Sequence, residues 1–145
     1  LTGVEEIMDW YILALKKYAT FEGRASRKEY WMFVLFNLIF TFQAFVLDNA
    51  LNQMFDLIIG PSGRGIISAL YTLAVVIPGL AVLVRRLHDV GQSGWWILIG
   101  VIPLVNLIGV WLLLYWLVKD SDPEQNQYGP NPKKQGAEQQ VAKPY

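Results

Sequence analysis

WWILIGVIPLVNLIGVWLLLYWLV, residues 95–118, is the stretch on which the fold turns. It carries no charged side chain. As one straight helix it would be ~36 Å long, against a hydrocarbon core of ~30 Å in a lipid bilayer. Trp95 and Trp96 open it and Tyr115 and Trp116 close it, as aromatic belts at two membrane interfaces would. The surplus length predicts tilt, or a bend near Pro103. The alternative is a helical hairpin turning at residues 103–106. Each arm would then reach ~18 Å, too short to cross, which makes the hairpin re-entrant. The single crossing is the expectation.

Two more stretches behave alike. Residues 30–47, YWMFVLFNLIFTFQAFVL, would span ~27 Å as a helix, and residues 65–84, GIISALYTLAVVIPGLAVLV, ~30 Å. Neither contains a charge, whereas a soluble helix keeps a polar face. Pro78-Gly79 predicts a kink, tolerable where a neighbouring helix satisfies the carbonyl that proline frees. The expected fold is therefore all-α: a membrane protein with three transmembrane helices (about 30–47, 65–84 and 95–118) in a single membrane domain, 8–132.

The totals agree with this layout. The chain has 145 residues, 12 acidic and 12 basic, with one His and no Cys. Charged residues make up 17%, below the ~25% of ordinary soluble domains. Zero net charge argues against nucleic-acid binding. The missing cysteines exclude disulfides, thiolate metal sites and a cysteine nucleophile. One His excludes a multi-histidine metal site within one chain.

The N-terminal arm carries apolar residues at helical spacing, Met8, Tyr11, Ile12, Leu15 and Tyr18, opposite Asp9, Lys16 and Lys17. This predicts an amphipathic helix over 8–22. It either lies in the headgroup plane or packs on the bundle. Residues 1–7 are a candidate upstream extension. Val4-Glu5-Glu6 can be encoded by a purine-rich run of ribosome-binding form before Met8, and a native start at Leu1 is the alternative. Ser26 and Glu29 form a capping-box pattern that starts the first span near Arg27. Gly91-Gln-Ser-Gly94 predicts a turn in which Ser93 caps the next helix. From Asp120 the chain is rich in Pro, Gln, Asn and Lys without periodicity, which predicts a mostly disordered C-terminal tail, flexible over 133–145. Basic residues crowd before the first span, and only Arg64 lies between the first two, so the N-terminus is expected in the cytoplasm and the tail opposite.

Three strings carry a family signature: FEGRASRKEYW at 21–31, RRLHDVGQSGWW at 85–96 and NQYGPNP at 126–132. In order and spacing they resemble domain-of-unknown-function family 805, small multi-pass bacterial inner-membrane proteins. The resemblance implies bacterial origin, an inner-membrane location and several helices. It implies no catalytic residues.

Arg85 and Arg86 end the second span. They can snorkel and set topology, or hold a phosphate bidentately with His88 adding a donor. Arg85 and Asp89, at i,i+4, can pair. His88 and Asp89 are adjacent, so they do not face each other as a dyad. Gly23–Arg27 is expected on the same membrane face. Arg24, Arg27, Lys28, Arg85, Arg86 and His88 then form one interfacial cluster that binds anionic phospholipid headgroups or orders the helices. Asn37, Gln43 and Asn106 are intramembrane amides that can join helices or line a polar path. No nucleophile elbow or metal-ligand cluster accompanies them, so no enzyme, cofactor or metal is expected. The expected role is structural, interaction-based or lipid-associated, with membrane lipids and a second copy of the chain as partners. An oligomeric channel or small-solute transporter is the alternative.

Overall fold

The structure, a computed structural model, describes residues 2–59 and 65–135. Arg64 and the tail beyond 135, both used in the expectations above, lie outside them. Among the described residues there is no strand, only a lone antiparallel bridge between Asn126 and Gly129. Four α-helices follow in order: α1 (Thr2–Lys16), α2 (Arg27–Ile59), α3 (Ile66–Asp89) and α4 (Asn106–Val118). A 3-10 segment, Gly94–Gly100, lies between α3 and α4.

The two long helices are apolar enough to cross a membrane over Arg27–Met54 and Ile66–Asp89. α2 starts where the capping pattern placed it. Ser26 Oγ accepts from the Glu29 backbone N–H at 3.2 Å. The reciprocal half of the box is absent, because the Glu29 carboxylate reaches Arg85 instead. At the other end Asp48 accepts from the Ile67 and Ser68 backbone N–H groups at 3.0 and 2.8 Å. These are orphan donors of the first turn of α3, and a carboxylate there also faces the positive end of the helix dipole. α3 is thus tied to α2 at both of its ends. The ties are separated along the helices by about 26–28 Å, close to the hydrocarbon thickness.

Between the ties the helices pack through small residues and rings. Ala81 and Val82 are buried, and Phe33 lies beside Gly79. α1 packs on this pair with Tyr11 and Ala14 buried, and the Tyr11 ring sits among Phe33, Phe36 and Phe40. Of the two expected settings for the amphipathic arm, the structure shows packing on the bundle. The arm is helical from Thr2 and ends at Lys16 instead of continuing to 22. After a turn closed by Thr20 N–H on the Lys17 carbonyl, Tyr18 points across to α3.

The third apolar run is a correction. It is not one crossing helix but a hairpin. The Trp96 and Trp116 rings meet at 5.3 Å, and the position of a Cβ on Gly109 lies 3.0 Å from the Ile99 carbonyl oxygen. Antiparallel arms at that spacing need glycine at 109. Pro103 sits in the turn, and Leu104 beside it takes φ +69°. Both ends of the run therefore lie near the C-terminal end of α3. The tail follows them there, so it shares a side with the N-terminal arm and is not opposite it.

A guanidinium–carboxylate knot as candidate functional site

The end of α3 carries the local instructions. Gly91 is in the left-handed region at φ +74°. Gln92 N–H bonds the Leu87 carbonyl at 2.9 Å and Gly91 N–H the His88 carbonyl at 3.1 Å. This is the paired bonding of a glycine-terminated helix end. Ser93 then caps the 3-10 segment by accepting from Trp95 N–H at 3.4 Å. The reversal points Arg85, Arg86 and Asp89 inward, against the N-terminal arm and the returning tail.

The Asp89 carboxylate joins two arginines. Arg24 Nε donates to one oxygen at 2.9 Å and Arg86 Nη1 to the other at 2.5 Å. Arg24 makes five bonds in all. The others go to the backbone carbonyls of Asp89, Asp122, Glu124 and Gly129, at 2.7–3.2 Å. A guanidinium has five N–H donors, and here each has an acceptor. Arg86 also donates to the carbonyls of Trp116, Leu117 and Lys119, the last turn of α4 and the residue after it. Such carbonyls have no intrahelical partner. Arg85 turns away and pairs with Glu29 at 2.7 Å. The side chains of Arg24, Arg85, Arg86, Glu29 and Asp89 are all 2% exposed or less.

The tail is held by these contacts. Asp122 N–H bonds the Asp89 carbonyl, and Asn126 Nδ2 bonds the His88 carbonyl at 2.9 Å. Asn131 Nδ2 bonds the Asp122 and Pro123 carbonyls. The expectation of disorder from Asp120 thus fails for 120–135, where the order comes from bonds to α3 and to Arg24. His88 Nδ1 lies 3.2 Å from the Gly23 carbonyl oxygen, and its ring stacks on Tyr128 at 3.8 Å and 3°.

The structure therefore brings Arg24, Arg85, Arg86 and His88 together, but gives them partners other than those expected. Arg85 pairs with Glu29, not Asp89, because Glu29 lies opposite it on α2. Arg86 takes Asp89 at i,i+3. The expected pairing of Arg85 and Arg86 on one phosphate is not seen, since each guanidinium faces a different carboxylate. Arg27 and Lys28 lie at the rim: Arg27 bonds the Val118 carbonyl and pairs with Asp120 at 3.1 Å, and Lys28 is exposed. Asn126 and Asn131 were missed as members of the site. Both lie in the family-like string at 126–132, and that was the available signal.

The three intramembrane amides do not converge. Asn37 donates to the Phe33 carbonyl at 2.8 Å and accepts from Tyr71 of α3 at 2.7 Å. Gln43 is exposed on α2. Asn106 begins α4, beside the hairpin turn. Among the described residues no group of three or more His, Asp or Glu side chains is placed to hold a metal.

Residues 18–130 match the profile of a family described as "Protein of unknown function (DUF805)". The chain is 43% identical over 126 residues to "Inner membrane protein YhaH" of Escherichia coli strain K12, covering 87% of this chain and 98% of that protein. It is 40% identical over 127 residues to "Inner membrane protein YhaI" of the same strain, covering 87% and 97%. No solved structure matches.

Proposed function

Because this chain belongs to the DUF805 family and its relatives YhaH and YhaI are named inner membrane proteins, we propose that it serves in the bacterial inner membrane as a structural and interaction module. In this reading α2 and α3 cross the bilayer, the hairpin 94–118 re-enters without crossing, α1 packs along the cytoplasmic half of the spans, and the knot and the tail lie at the cytoplasmic surface.

The knot carries the reading. Apart from the buried Nη2 of Arg85, which has no partner, its donors are spent on the chain's own carboxylates and carbonyls, so it fastens five segments together: N-terminal arm, α2, α3, hairpin and tail. A network of this kind fixes shape. The rim supplies the surface: Arg27 and Lys28 sit where anionic headgroups would lie. The positive-inside preference supports the orientation, since Arg64 is the lone basic residue between α2 and α3. Gln43 supports self-association, because an exposed amide within a span gains a partner from a second copy, worth about 0.6–2 kcal/mol.

The chain has no cysteine, so single cysteines report topology without background. Lys28→Cys and Lys133→Cys should both be labelled from the cytoplasmic side in spheroplasts and inverted vesicles. Labelling from opposite sides overturns the two-crossing topology. Native mass spectrometry in mild detergent should show an oligomer that Gln43→Leu weakens. A strictly monomeric wild type overturns the association.

A further inference from the structure

Beside the knot runs an open groove of about 530 Å³ that the bonding network does not use. That volume is within the ~300–1,000 Å³ typical of small-ligand sites. Four segments build it: Phe21 from the N-terminal arm, Val84 and His88 from α3, residues 93–95, 97 and 98 from the hairpin and Tyr128 from the tail. No Asp, Glu, Lys or Arg lines it.

Its polarity is graded along the membrane axis. Val84 lies one turn deeper in α3 than His88 on the same helix face. Ile97 and Leu98 follow Ser93 into the hairpin. The deep end is therefore apolar and the shallow end carries the imidazole, the Ser93 hydroxyl and the Tyr128 phenol. The shallow end also has a fixed acceptor. A carbonyl only accepts, so His88 Nδ1 carries the proton that faces Gly23, and Nε2 of the neutral ring is left with its lone pair. Trp95, 78% exposed, stands at the rim as an interfacial residue would.

We propose that this groove seats one acyl chain of a membrane phospholipid, with the chain along Val84, Ile97 and Leu98, the ester carbonyls at the Ser93 and Tyr128 hydroxyls, which can donate, and the ammonium or hydroxyl of the headgroup at the His88 Nε2 acceptor. The proposal rests on the membrane reading above. The lack of lining charge excludes a phosphate as the part that fills the groove. An apolar slot open to hydrocarbon gains dispersion contacts when a chain fills it and forfeits them when empty. The graded walls match one molecule in the bilayer, a lipid with a polar head and apolar chain in that order.

The test is native mass spectrometry of protein extracted in mild detergent from membranes of phosphatidylethanolamine and phosphatidylglycerol. The wild type should retain one phospholipid per protomer. Leu98→Trp fills the slot from a half-exposed position and should lower retention at least tenfold. Ile97→Phe is the second variant should the first fail to fold. Leu73→Trp, on the exposed face of α3 outside the groove, should retain lipid as the wild type does. Short-chain phospholipid should displace the retained lipid, whereas glycerol 3-phosphate should not. Equal retention in both groove variants, or displacement by glycerol 3-phosphate, overturns the proposal. An intact cysteine-labelling pattern with no retained lipid overturns the groove alone. A labelling pattern against two crossings overturns the membrane reading itself.

Discussion

The Tyr18 hydroxyl donates a 2.7 Å hydrogen bond to the carbonyl of Ala74, the carbonyl that Pro78 leaves without its i−4 partner. Proline has no N–H to offer four residues back. A tyrosine from the N-terminal arm supplies the missing donor, and this lets Pro78 sit buried inside α3. Tyr18→Phe should cost about 0.5–1.5 kcal/mol, the range for losing one hydrogen bond. In a Pro78→Ala background, where residue 78 regains its N–H, the same change should cost little. Denaturation of the four proteins in detergent measures this coupling, and additive effects would contradict it.

Asp89 is the single carboxylate between Arg24 and Arg86. Asp89→Asn should destabilise the protein by about 3–5 kcal/mol, because it leaves two buried guanidiniums uncompensated. Arg24→Lys should behave similarly, since an ammonium has three donors and cannot serve five acceptors. In both, the tail should become open to limited proteolysis between 120 and 135 before the rest of the chain. Wild-type protection of the tail in either variant would refute the role given to the knot.

The hairpin depends on close approach at Gly109. A Cβ there meets Ile99 backbone and side-chain atoms at 3.0–3.1 Å, tighter than ordinary packing allows. Gly109→Val should part the arms and lose about 1–3 kcal/mol, as overpacking does. A cysteine pair at Trp96 and Trp116 should cross-link readily in the parent and poorly in the variant. Equal cross-linking would argue against the hairpin.

Asp120 accepts from Lys133 and from the Ser121 N–H, and faces Arg27 at 3.1 Å. The Lys133 hydrogen bond foremost, then the Ser121 N–H, hold its carboxyl below the ordinary 3.8. A depressed value means that the clip is fully formed above pH 3.8 and is lost as pH falls through the folded-state value. Its carbon-13 carboxyl titration in detergent should show a midpoint below 3.8. Lys133→Met should move that midpoint upward, and an unmoved midpoint would contradict the assignment. The pair is exposed, so its effect on global stability is small.

Much of the interior was legible because it follows local rules. Ser26 marked the start of α2, Gly91 and Ser93 marked the reversal after α3, and Pro78 announced its need for an outside donor. The convergence of Gly23–Arg27 with Arg85–Asp89 followed from charge placement. The tail was not legible for a specific reason. Arg24 holds it through carbonyls of Asp122, Glu124 and Gly129, and a carbonyl belongs to every residue alike. The third run was ambiguous because Pro103 permits both a bent crossing and a hairpin. What distinguishes them is the fit of Gly109 against Ile99, a contact between arms that periodicity does not encode. The choice of Glu29 over Asp89 for Arg85 likewise depends on which helix lies opposite.

The reach of Arg24 along the chain has a consequence for biogenesis. Its acceptors at Asp122, Glu124 and Gly129 are 98, 100 and 105 residues downstream. The ribosome therefore delivers the cation about a hundred residues before its socket exists, and both long helices are synthesised in the interval. Before those acceptors emerge, only the Asp89 carboxylate and carbonyl, 65 residues downstream, can take its donors. Closing the socket is the last act of assembly, and a sealed Arg24 is a record that synthesis has run at least that far.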